Sequence, residues 1–228
     1  MNKKLWEPTE LQIDNSQITK FIKFVNNKYD YEIFDYFDLY DWSLSNPDEF
    51  WKSISIYGRI IFSKHGQAIC KDIDKMPGAV WFPGYTLNFA ENLLKYNDDT
   101  IALKFFGEDK VYREITFSEL NVEVKNFSNA LRSEGVKAGD RVVGFIPNMP
   151  EAIIAMLASS SIGAIWSSCS PDFGIKGVLD RFSQIKPKVL IASDGYYFKG
   201  KSFDLIYKIN SIIDNLTSIE KVVMVKYT

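Results

Sequence analysis

Four short runs rich in apolar and β-branched residues, at 141–146, 164–168, 189–192 and 221–226, alternate with three segments of helical periodicity, and few folds satisfy that order. Ile153, Ile154, Met156, Leu157 and Ile162 recur at helical spacing in the first such segment, and Val178, Leu179, Phe182 and Ile185 in the second; residues 203–216 read as a third, amphipathic helix. Strands separated by single helices imply an α/β fold: a mostly parallel sheet, right-handed crossovers, and helices on both faces. Two further β-rich runs, 101–106 and 111–116, flank GEDK and read as a hairpin. Thr116 with Glu119 three residues on is a capping box, opening a helix whose apolar face is Leu120, Val124, Phe127 and Leu131 and which stops at Gly135.

Open α/β sheets place ligands at the carboxyl ends of their strands, which singles out two segments. One is the turn after the second strand, Ser168 to Gly174, with Ser170, Pro171 and Asp172 at its centre; the plain alternative is that Asp172 only caps the next helix. The other is DGYYFKGKSF after the third strand, where Lys199 and Lys201 flank Gly200 ahead of a helix. Two amines beside a flexible glycine and a helix N-terminus suit a phosphate, and a solvated charged loop is the alternative. Both segments follow strands of one sheet and are expected to face the same side.

Residues 1–98 have another texture, and the chain is expected to divide into an N-terminal extension, 1–98, and an α/β subdomain, 99–228. The extension reads as mainly helical. Ile18, Phe21, Ile22 and Val25 share one helix face, SNPDEF reads as the capped start of another, and a short helix is expected at Phe89–Leu94. Trp6, Trp42, Trp51 and Trp81 lie here with a dense aromatic and acidic stretch. Acidic residues between the rings repel phosphate, so these aromatics read as a layer packed on a neighbouring domain rather than a stacking surface for bases or lipids.

Composition excludes several classes of function. The 27 basic and 29 acidic residues nearly cancel, so no basic field draws the 228-residue chain to nucleic acid or an anionic membrane. Two cysteines without a CxxC pair and a single histidine, His65, argue against a zinc site and a disulfide scaffold, and His65 reads as a surface or packing residue rather than the base of a catalytic triad. The start lacks the plan of a signal peptide, and the most apolar run, 152–166, carries three serines; the expectation is a soluble cytoplasmic protein. The GxGxxG fingerprint does not occur. Because the chain stops in what reads as a strand, it is expected to be the front part of a longer one, with an open sheet edge that self-association as a homo-oligomer would cover.

Four segments carry a family resemblance: WFPGYTLNFAENLL (81–94), the ITFSEL capping box, GDRVVGFIPNMPEAIIAMLASSSIGAIWSSCSPDFG (139–174), and DG…KGKSF. Nearly the whole chain resembles the N-terminal part of an acyl-CoA synthetase of the adenylate-forming superfamily, and SSCSPDFG points to the branch that activates acetoacetate rather than acetate. The resemblance implies a two-step ligase using ATP, CoA and Mg2+, with acetoacetate as the acid; acetate, propionate or another short acid is the alternative, and a non-catalytic α/β module complete at 228 is the rival of another class. The family's phosphate loop, ribose-binding aspartate and C-terminal lysine have no counterpart in this sequence, so no catalytic or metal-binding residue is assigned and the fragment alone is expected to be inactive. The resemblance further implies that Ser170, Pro171 and Asp172 lie against the CoA adenine. Lys201 matches a basic position that contacts the 3′-phosphate of CoA. Phe198 stands at another such position, with Lys199 adjacent as a substitute.

Overall fold

The computed structural model describes residues 5–228, and the chain divides into two compact units, one ending at Leu87 and the other running from Asn88 to Thr228. The first holds α1 (Glu10–Asn15), α2 (Gln17–Tyr29), α3 (Tyr36–Ser45), α4 (Pro47–Tyr57) and a two-residue ladder of β1 (Cys70–Lys71) on β2 (Val80–Trp81). Local signals set the helix starts. Thr9 and Gln12 form a capping box on α1, Ser16 caps α2, the Asp35 carboxylate accepts from two N–H groups of α3, and Pro47 opens α4. Phe21, Ile22, Val25, Ile33, Leu39 and Trp42 are buried together, with Phe24, Tyr29, Phe50 and Tyr57 packed on them, so the aromatic stretch builds a core of its own. His65 makes edge contacts with Phe62 and Tyr85, a packing role.

The second unit begins with α5 (Phe89–Leu93) and the antiparallel hairpin of β3 (Ile101–Gly107) and β4 (Val111–Thr116). The Thr116–Glu119 capping box forms as expected and starts α6 (Phe117–Ser133). Then come β5 (Arg141–Phe145), α7 (Pro150–Ser161), β6 (Ile165–Cys169), α8 (Ile175–Phe182) and β7 (Val189–Ser193). A second hairpin, β8 (Gly195–Phe198) with β9 (Lys201–Asp204), precedes α9 (Ile206–Asn215) and β10 (Lys221–Val225). The division at Leu87 falls before residue 98 because α5 joins the second unit: Ala90 is buried in its core, and the Asn88 amide donates to the carbonyls of Ser160 and Ser161 at the end of α7.

β10, β7, β5 and β6 form one parallel sheet in that order. Alternation along the strands sends side chains to two cores. Val142, Val189, Ile191, Val223 and Val225 pack with α6 and α7, whereas Val143, Phe145, Leu190, Ala192 and Val222 pack with α8 and α9. Helices thus cover both faces, and the sequence turns back across β5 between β6 and β7, the switch point at which such sheets bind ligands. No helix among the described residues is long and apolar enough to cross a membrane.

The Gly-Asp pair ahead of β5 is structural. The Asp140 carboxylate accepts the Lys137 N–H at 2.9 Å and lies 3.6 Å from the Lys188 ammonium. The N–H bond, aided by the Lys188 charge, holds this carboxyl below the ordinary carboxylate range. A folded pKa below the unfolded one contributes stability above the unfolded pKa and loses it as pH falls through the folded pKa. Asp140→Asn is therefore expected to lower stability near neutral pH and to flatten the acid limb of the stability curve, read by urea unfolding at steps from about pH 6 to 3. Arg141 follows with three donors on the carbonyls of Gly139, Ile185 and Lys186, tying the end of the α8 segment to the start of β5.

Candidate functional site

The turn after β6 closes through the Phe173 N–H on the Ser170 carbonyl at 3.1 Å. Ser170 and Asp172 are exposed and Pro171 is buried. Asp172 is not the helix cap: α8 starts from Gly174, with no side-chain cap bond, because the turn places Asp172 ahead of the cap position. What holds the turn is Lys208 of α9, whose ammonium donates to the carbonyls of Pro171 at 2.9 Å and Phe173 at 3.2 Å. On the far side, the Arg181 guanidinium stacks 4.4 Å from the Phe173 ring centroid. The exposed polar groups of Ser170 and Asp172 are thus presented on a loop braced from two helices.

The lysine segment differs from its sequence reading. Residues 201–204 do not open a helix; they pair with 195–198, with Phe203 stacked on Tyr196 at 5.1 Å. Cross-strand aromatic pairing overrides the helical spacing of Phe203, so Lys199 and Lys201 lie at a hairpin tip and no helix N-terminus stands behind them. The two-residue turn is Lys199 (φ 51°) and Gly200 (φ 75°), both left-handed as a tight hairpin requires. Their N–H groups converge on a single carboxylate, that of Glu108 at the tip of the β3–β4 hairpin, at 2.6 and 2.7 Å. Phe198, Lys199 and Lys201 are all exposed, and the Lys199 ammonium lies 5.3 Å from the Phe198 ring centroid.

Both candidate segments sit at the carboxyl edge of the sheet, yet they answer to different partners. Lys208 holds the first and Glu108 the tip of the second, and no hydrogen bond, ion pair or ring contact among the described residues joins the two. The base of the β8–β9 hairpin is organised by Asp194, whose carboxylate accepts the Tyr227 and Thr228 N–H groups at 2.7 and 3.1 Å. Sequence reasoning missed Glu108, Asp194 and Lys208. Glu108 lies inside a turn 91 residues before Lys199, and Lys208 in an ordinary helical pattern; neither has a local signature.

Chemically, the edge offers amines, N–H groups and a hydroxyl, which bind anions and polar rings but supply no nucleophile–base pair. The Cys70 thiol, in the first unit, is pushed up to about 11 by donating to the Asp48 carboxylate, so it is protonated at neutral pH, and burial raises the Cys169 thiol. Among the described residues no three His, Cys, Asp or Glu side chains cluster to hold a metal ion, and the donor set at this edge does not fit Mg2+. The convergent N–H pair beside Lys199 and Lys201 does fit an oxyanion.

Residues 89–227 match the family model described as AMP-binding enzyme, and 36–93 the one described as acetyl-coenzyme A synthetase N-terminus. The chain is 43% identical to acetoacetyl-coenzyme A synthetase of Rhizobium meliloti, a match covering 93% of this chain and 32% of that protein. It is 34% identical to malonamoyl-CoA synthetase of Penicillium aethiopicum, over 93% of this chain and 30% of that one. The solved structure of acetoacetyl-CoA synthetase from Streptomyces lividans superposes with a TM-score of 0.91 at 36% identity, over 98% of this chain and 35% of the other. This chain spans about a third of the length of the curated relatives it matches.

Proposed function

The chain belongs to the AMP-binding enzyme family, and from that premise we propose that it forms the N-terminal part of a cytoplasmic ATP-dependent acid:CoA ligase that makes acetoacetyl-CoA. In that reaction an acetoacetate oxygen attacks the α-phosphorus of ATP and expels pyrophosphate; the CoA sulfur, losing its proton, then attacks the acyl carbon and expels AMP. Mg2+ supplies charge compensation for the phosphates in such chemistry. This chain's own share is the carboxyl edge of its sheet. There Ser170, Pro171 and Asp172 meet the CoA adenine, and Lys199 and Lys201 its 3′-phosphate, as lone-point cations rather than a bidentate fork.

The observation that carries the proposal is the likeness along both units to acetoacetyl-CoA synthetases. The relatives' names support a substrate class. Acetoacetate and malonamate, the acids their names specify, both carry a carbonyl in the β position to the carboxylate, and a pocket that hydrogen-bonds that oxygen discriminates against acids lacking it.

The test is exchange of labelled pyrophosphate into ATP, catalysed by the protein of the complete reading frame. Exchange is expected with acetoacetate, at a specificity roughly tenfold or more above acetate or propionate. Residues 1–228 alone are expected to show none. A preference for acetate overturns the substrate class, and exchange by residues 1–228 alone overturns the assignment of the chemistry to residues outside this chain.

A further inference from the structure

The two N–H groups at the β8–β9 turn, beside the lysines, are already engaged by a carboxylate. Lys199 N–H and Gly200 N–H both donate to Glu108, at 2.6 and 2.7 Å, which is the pattern by which consecutive amides cradle one oxyanion. The carboxylate is brought from a distant hairpin at some conformational cost, since Glu108 itself sits at φ 53°. Its tip is located independently. Tyr227 packs between the hairpins, with its ring 5.9 Å from Phe105 of β3 and 5.2 Å from Tyr197 of β8, and its hydroxyl so close to Gly107 that a Cβ there would collide with it. The hairpins are therefore docked through Tyr227, and the Glu108 bonds are a separate, exposed latch on top of that docking.

We infer that Glu108 is an internal stand-in for phosphate: its carboxylate occupies the paired N–H groups of the Lys199–Gly200 turn, and an incoming phosphate group must displace it. The inference rests on the reading of this turn as the place of the CoA 3′-phosphate. A carboxylate and a phosphate dianion at contact distance of the same two donors repel each other, and the phosphate, with more charge and more acceptor atoms, gains more from Lys199 and Lys201. Glu108 thereby sets a threshold for CoA: it keeps the turn ordered in the absence of the nucleotide and weakens its capture.

The experiment compares CoA with dephospho-CoA, which lacks only the 3′-phosphate, in the protein of the complete reading frame. Glu108→Gln removes the charge and keeps one acceptor oxygen; it is expected to lower the KM for CoA about three- to tenfold at low ionic strength, with the change in KM and not in kcat, and to leave the KM for dephospho-CoA unmoved. The gain is expected to fade as salt is raised. Glu108→Asp keeps the charge and is expected to keep the KM for CoA near that of the parent enzyme, while Lys201→Ala raises it and spares dephospho-CoA. A KM for CoA that rises or stays constant in Glu108→Gln, or that moves equally for both thiols, overturns the inference, leaving Glu108 as a prop for the turn. If Lys201→Ala alone alters discrimination between the two thiols, the inference fails and the 3′-phosphate reading stands. If neither variant alters it, both fall.

Discussion

Phe145→Ala is expected to destabilise the second unit by about 3–5 kcal/mol, the range for emptying a fully buried aromatic site. Phe145 ends β5, the strand that pairs with β6 on one side and β7 on the other, and its side chain is 0% exposed. It packs with Val178 and Phe182 of α8 and with Ile209 and Ile212 of α9, so its loss opens a cavity between the sheet and both helices of that face. Those helices are anchored by the sheet, which leaves the site little room to collapse. Tyr207→Ala on the outer side of α9, where the ring is 78% exposed, is the control, with about 0.5 kcal/mol or less expected. Urea unfolding followed by circular dichroism measures both. A loss below about 1.5 kcal/mol for Phe145→Ala contradicts the rigid packing described here.

The second large effect has a sign opposite to what strand propensity suggests. Valine is a better strand residue than glycine, yet Gly144→Val is expected to destabilise by about 1–3 kcal/mol. A Cβ at Gly144 would lie 2.7 and 2.8 Å from Cη2 and Cζ2 of Trp166 on the neighbouring β6, and 3.2 Å from a methyl of Ile146. The indole must move or the strands must part. Trp166 is the single tryptophan of the second unit, so a change in emission in a background with Trp6, Trp42, Trp51 and Trp81 replaced by Phe reports the collision. Adding Trp166→Leu to Gly144→Val is expected to recover part of the loss, because the pair is coupled through that one contact. Additive losses in the double mutant would place the strain elsewhere.

Much of the fold was readable because its signals are local. The succession from Arg141 onward, the Thr116–Glu119 capping box and the helices on both sheet faces follow from periodicity and capping, which act over a few residues. Residues 203–216 misled for the same reason. Phe203 fits the spacing of the helix that begins at Ile206, but its ring gains more by stacking on Tyr196 across a hairpin, an interaction that spacing does not encode. The candidate site was half readable. Ser170, Pro171, Asp172, Lys199 and Lys201 were named from their place after strands. The groups that hold their two segments, Lys208 and Glu108, were not, since each reaches its partner from a separate element far along the chain.

The sequence by itself determined the class of fold, the alternation that sorts side chains to two cores, and the family, because these depend on residue order and on short-range preferences. Only the tertiary structure decided that β5 lies between β6 and β7, that Gly144 must remain small beneath Trp166, and that the amides beside Lys199 are already satisfied by a carboxylate. Those outcomes depend on which distant groups arrive at the same place, where sterics and charge act over ångströms regardless of how many residues separate them.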